Sequence, residues 1–230
     1  MASIKLGAIA SDIRGSIGGT VFSRNGGGAY AKQRVCPTNP NTAGQGIVRA
    51  IMSSMYAAWA LLTAAIRGDW ALYATNVTLP NRLGDQINLS GYNMFTRTKA
   101  VCDLIGVAVP AVAPSVMSLA EQDPTIAITP SETGGDIDVA YDNTLGWAGE
   151  VGGHLLCYQG LPQNATVNSY DGPFKYAGKE DGAVIPPTSP AAITSLYTIT
   201  EGQKCFMQFR ILRADGRLST PFRGSALVGA

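Results

Sequence analysis

One histidine, 14% charged side chains and 8% aromatics in 230 residues are the scarcities of this chain, and each excludes something. The histidine is His154, at the start of an apolar stretch. Nucleophile triads and helical zinc motifs need a histidine beside partners that the sequence does not signal, so His154 is expected to be a strand-end residue. The four cysteines, Cys36, Cys102, Cys157 and Cys205, are far apart and form no CxxC or Cys-His pair of metal-ligand spacing. The glycine groups at 15–19 and 26–28 lack the Lys and Ser or Thr of a phosphate loop and read as turns. Asp136, Asp138 and Asp142 lack the Gly and terminal Glu of a calcium loop and read as a solvated strand face. No catalytic, cofactor-binding or metal-binding residue is predicted, and an enzyme is not expected. No apolar run reaches the roughly 18 to 20 residues of a membrane span. The opening stretch is broken at Ser11, Asp12 and Arg14, so no signal peptide is expected; synthesis in the cytoplasm with reduced thiols follows. With so few charges, much of the surface must be small and neutral, a composition suited to surface covered by neighbouring subunits.

What is present is asymmetric. Residues 1–110 hold ten Lys and Arg against four Asp, a net of +6, whereas residues 111–230 hold seven basic against twelve acidic side chains, a net of −5; together they give the overall +1. The step falls at a Pro- and Val-rich stretch, 106–114, and predicts a domain boundary there.

The first forty residues are punctuated by glycine, and Lys5, Arg14, Arg24, Lys32 and Arg34 face a single acid, Asp12. Two β-rich pieces, 16–23 and 29–35, flank an Asn-Gly turn signal and predict a β-hairpin arm. A two-stranded ribbon is marginal alone, so the arm is expected to dock through Lys5, Arg14, Phe22, Arg24, Tyr30, Lys32 and Arg34. The basic density is low for nucleic acid, and an acidic protein surface is the expected partner. Thr42 and Gln45 then form a capping box that opens a helix with an apolar stripe at Ile47, Ile51, Met55, Ala58, Leu62 and Ile66, widened by Val48, Met52 and Trp59. Thr63 is expected to cap a second helix carrying Trp70 and Tyr73, and Ser90 a third carrying Met94, Phe95, Val101, Cys102 and Ile105. Beyond Pro114 the period changes to alternation, with runs at 125–129, 136–141, 154–159, 192–200, 204–212 and 218–228 separated by turn residues. Six or seven short strands in this length predict a sandwich of immunoglobulin or fibronectin type III size. The predicted fold is therefore α+β with two domains: an arm over 1–41, a helical domain over 42–110, a linker over 111–122 and the sandwich over 123–230. Trp59, Trp70, Phe95, Trp147 and Tyr197 are its expected core anchors.

Several of these residues also form a larger pattern. The string 15–23 (GSIGGTVFS), Tyr30 with Arg34, 37–42 (PTNPNT) with Gln45 and Arg49, 59–63 (WALLT), 67–70 (RGDW), and 89–92 (LSGY) with Phe95 resembles a pattern of tailed-phage virion proteins and prophage proteins of undefined function. The likeness covers roughly residues 7–100, and the β half is similar only in type to the Ig-like modules of phage capsids and tails. The resemblance implies a non-enzymatic virion protein present in many copies, in first place a capsid decoration protein binding the major capsid protein or another virion protein through arm and helices. A tail, neck or fibre-attachment component is the alternative within that class. Outside it stands a module binding a host glycan through Tyr158, Tyr170, Phe174 and Tyr176.

Overall fold

Glycine turns fold the N-terminal residues into a small sheet. The structure is a computed structural model that describes residues 2–4, 12–81 and 83–229. It divides into two compact units, Met1–Arg49 and Ala50–Ala230. In the first, β1 (Ala2–Ser3), β2 (Gly15–Ile17), β3 (Thr20–Asn25) and β4 (Gly28–Gln33) form one antiparallel sheet in the order β1-β4-β3-β2. The Asn-Gly hairpin joins β3 to β4, and the Asn25 side chain accepts a 3.0 Å bond from the Gly27 amide inside the turn. The stretch 16–23 is not one strand. Gly18, with φ of 56°, reverses the chain there and splits it into β2 and β3, so the expected hairpin is a meander with a fourth strand on its other edge. The unit ends in the first turns of α1 (Ala43–Leu61), where Thr42 Oγ1 accepts from the Gln45 amide at 3.3 Å. The reciprocal half of the capping box does not close through Gln45 Oε1, which has no hydrogen-bond partner among the described residues. Arg49 instead reaches back to Asn41 Oδ1 at 3.0 Å and Asn39 Oδ1 at 2.8 Å.

The second unit takes up the chain within α1 and continues to α2 (Ala64–Asn76), which Thr63 caps by accepting from the Ile66 amide. The segments Arg49–Leu61 and Ala64–Asn76 are bent by 114°, and among the described residues no single helix is long and apolar enough to cross a membrane. A short hairpin of β5 (Thr78–Pro80) and β6 (Gln86–Asn88) leads to α3 (Gly91–Ile105), which is capped by Ser90 and stopped by Gly106 in the left-handed conformation. Trp70, Tyr73, Met94 and Phe95 are buried between α2 and α3. Phe95 lies 5.5 Å from Trp70 and 5.4 Å from the half-buried Trp59. Gly91 permits the approach of the two helices, since a Cβ there would sit 2.7 Å from the Ala71 backbone nitrogen. Only some of the α1 stripe turns inward. Met55 is buried and Ala58 and Trp59 are half-buried, but Ile51 and Met52 remain exposed, as do Tyr56 at 67% and Leu61 at 86%.

The β half contains β7 (Ala127–Pro130), β8 (Asp136–Ala140), β9 (His154–Gly160), β10 (Gln163–Asn164), β11 (Phe174–Asp181), β12 (Ala191–Thr194), β13 (Gln203–Leu212) and β14 (Phe222–Leu227). One antiparallel sheet has the order β12-β8-β7. The other runs β11-β9-β13-β14, with β10 continuing the β9 side of β13. Ile128, Ile137 and Val139 of the first sheet and Leu155, Cys157, Met207, Phe209 and Ile211 of the second share one core with Trp147. The alternate side chains of the larger sheet serve a second contact: Leu156 and Leu212, with Leu218, pack on Val101 and Cys102 of α3. This is why β9 is buried on both faces.

Three sequence expectations change here. The stretch 111–122 does not separate one body from another. Ala113 and Leu119 pack on the helical core and Ala120 is buried in the sheet core, so helices and sheets form one unit and the division falls at Arg49. Tyr197 is not a core anchor: the strand expected over 192–200 ends at Thr194, and the neighbouring Ile199 fills the core instead. Just past that end the chain is held by the buried Gln159, whose Nε2 donates to Ser195 Oγ at 2.7 Å and whose Oε1 accepts from the Leu196 amide at 2.6 Å. Finally, β11 is not among the expected strands, yet it pairs with β9 along its whole length, across a bulge between Tyr176 and Gly178.

Candidate functional site

The arm residues singled out in the sequence are sorted by the pleat of their sheet. Cross-strand partners share a face, so Thr20, Phe22 and Arg24 lie with Ala29, Ala31 and Gln33, while Val21 and Ser23 lie with Tyr30 and Lys32 on the other side. Phe22 and Arg24 are therefore separated by the sheet from Tyr30 and Lys32, and the seven residues do not make one patch. Lys32 and Arg34 do converge. With Val21, Gln33, Val35 and Pro37 they line a cleft of about 530 Å³ in which no acidic side chain takes part. Arg14 is 71% exposed and paired with Asp12 at 2.7 Å, and Lys5 lies outside the described residues. Among the described side chains of this unit none is buried. Of its apolar side chains Ile17 is exposed at 75%, and Val21 and Phe22 are half-buried.

The His154 environment holds more than the sequence signals. His154 Nδ1 lies 2.6 Å from Asp181 Oδ1, which also accepts from Lys179. Burial pushes the Asp181 carboxyl up, but the bonds from Lys179 and His154 outweigh it and hold it below the ordinary carboxylate range. His154 and Cys102 line one cavity of about 340 Å³ with Leu212 and Arg213. That juxtaposition brings a thiol, an imidazole and a carboxylate near one another, yet the thiol is not activated. Burial first, and Asp103 after it, push Cys102 up to about 11, which keeps the sulfur protonated at neutral pH. No hydrogen bond joins Cys102 to His154 among the described residues.

The aromatics considered for a glycan are engaged with each other. Tyr158 and Tyr176 meet edge to face at 5.8 Å, and Tyr170 is held between Phe174 at 5.3 Å and Phe206 at 5.7 Å. The Tyr170 hydroxyl accepts from the Leu161 amide and donates to the Pro173 carbonyl. Asp136 and Asp138 belong to β8, and Asp142 accepts from the amide and hydroxyl of Thr144, which lower its pKa. Among the described residues no group of His, Cys, Asp or Glu side chains has metal-binding geometry. Two buried polar residues that the sequence does not single out, Gln159 and Asp123, bond to chain turns; Asp123 accepts from the Thr125 and Asp142 amides, each at 2.8 Å. Comparison with protein-family models, curated proteins and solved structures finds no match to this chain.

Proposed function

We propose that this chain is a non-enzymatic structural component of a virion, docked through its N-terminal sheet. The observation that carries the reading is the arm itself: a glycine-turned, basic four-stranded sheet in which no described side chain is buried. Such a sheet gains its hydrophobic burial from another surface. Lys32 and Arg34, in a cleft without an acidic lining residue and beside Val21 and Val35, favour a surface that is acidic with apolar spots. The resemblance of residues 7–100 to tailed-phage proteins supports a virion location, and a capsid decoration protein is the leading form. A major capsid protein or another virion protein is then the partner. The β half supports the same reading as a fibronectin type III-like module. Leaving aside β10, its first, second and fifth strands form one sheet and its third, fourth, sixth and seventh the other.

The test is incorporation. Particles assembled with the chain lacking residues 1–36 are expected to lose it, whereas occupancy equal to that of the full chain refutes docking through the arm. Exposed Cys36, at the end of the arm, gives a second measurement, since alkylation there should slow when the chain is on the particle. The glycan reading draws no support from the geometry of Tyr170, whose ring packs against Phe174 and Phe206. Glycan-array binding that vanished in Tyr170→Ala would restore it.

A further inference from the structure

Two arginines from different layers meet at one cleft on the second unit. Arg97 projects from α3 and Arg210 from the face of β13 that also carries Leu212, and both line a space of about 520 Å³ walled by Leu79, Ile87, Leu89 and Pro221. Arg97 is partly spoken for, because its two terminal nitrogens donate to the Leu218 and Ser219 carbonyls at 2.9 and 2.7 Å. Among the described residues the Arg210 head makes no hydrogen bond, and neither guanidinium has an acidic partner. Burial, and then Arg210, lower Arg97 to about 10, and burial lowers Arg210 as well, against a raising effect of Tyr158. Half-buried cations of one sign in an apolar recess are costly without a counter-charge. Arg97 is explained by the carbonyls it holds, whereas the Arg210 head faces the Tyr158 phenol without a hydrogen bond or an acidic partner among the described residues.

We infer that this cleft receives a carboxylate carried on an apolar body, with Arg210 as the primary contact and Leu79, Ile87 and Leu89 around the apolar part. A guanidinium fork matches a carboxylate in two parallel bonds, and the apolar walls suit an apolar body better than the hydration shell of an inorganic anion. The same chemistry could be supplied by a free carboxylic acid or by the C-terminal residue of a partner chain.

The test titrates the intact protein, followed by amide and arginine side-chain NMR signals, with hexanoate for the free acid and N-acetyl-leucine for a chain terminus; hexanamide, N-acetyl-leucinamide and inorganic phosphate are the controls. Saturable shifts at Arg210, Leu79 and Ile87 are expected with at least one carboxylate, and the tighter of the two identifies the source. Arg210→Gln is expected to weaken binding by about tenfold to a hundredfold, the range for a lost charged hydrogen bond, with Arg210→Lys recovering some of it. Amides or phosphate binding as tightly as the carboxylates would overturn the assignment, as would no saturable shift or an Arg210→Gln variant that binds normally. Should Arg210→Gln fail to fold, Ile87→Glu serves in its place, at a wall position that is 39% exposed. It sets a carboxylate of the chain's own in the cleft and is expected to abolish hexanoate binding; unchanged binding overturns the proposal.

Discussion

Replacing Thr98 by valine tests whether helices and sheets fold as one body. Thr98 is buried on α3, and its hydroxyl donates at 2.9 Å to the carbonyl of Gly216, in the turn between Arg213 and Arg217 after β13. Valine keeps the shape, removes that bond and leaves the Gly216 carbonyl buried without it, at a cost of about 1 to 3 kcal/mol. For a unit of this length each kcal/mol lowers the melting temperature by about 2 to 4 °C. The discriminating assay is native-state hydrogen exchange. If α3 and the larger sheet share one core, the slowest amides of α2 and α3 and those of β9 and β13 report the same opening free energy, and Thr98→Val lowers all of them equally. A loss confined to the helices, with β9 and β13 unmoved, would refute the single unit and reinstate a boundary near 111–122.

Gly91→Ala should destabilise the same unit by about 1 to 3 kcal/mol, because the added Cβ meets the Ala71 backbone, which cannot move aside as a side chain would; a chemical denaturation curve checks it. Thiol titration of the native protein should find one reactive cysteine per chain and four after denaturation. Cys36 is exposed, whereas burial pushes Cys102 and Cys205 up to about 11 and Cys157, under burial and then Glu180, up to about 12. Acidification should remove a small contribution from Asp181. Its folded pKa lies below the unfolded one, so the contribution is complete above the ordinary carboxylate range and disappears as pH falls through the folded value. Asp181 is more than half exposed, which limits the effect to under about 1 kcal/mol, and Asp181→Asn should flatten the acid limb of a stability profile.

Local signals in the sequence translate well. Thr42, Thr63 and Ser90 cap their helices because capping depends on the next three residues and on nothing distant. The turn at Asn25 and the reversal between Arg213 and Arg217 are local for the same reason. Features decided by tertiary contact do not translate. The α1 stripe looks like a buried face, but how much of it finds a partner depends on where α2 and α3 lie, and Ile51 and Met52 stay in water. β11 escapes because Gly178 and the charged run from Lys179 to Asp181 break the alternation that marks a strand, while its bulge restores pairing with β9. The charge step near Pro110 looks like a boundary, yet charge resides on the surface and says little about cores; the apolar Ala113, Leu119 and Ala120 join the two sides. At the candidate site the residue types of the arm can be read in order, but not which face of the sheet each occupies. The Arg97 and Arg210 pair, separated by more than a hundred residues, leaves no trace in sequence spacing.

An arm in which no described side chain is fully buried has a calorimetric consequence for the proposed docking. If the arm docks as proposed, the apolar surface that exposed Ile17 and half-buried Val21 and Phe22 still present to water is covered at that step. Docking should then show a negative heat-capacity change in proportion to the apolar area it covers. Attachment driven in this way weakens on cooling, so copies held by their arms would loosen from an assembly in the cold and return on warming.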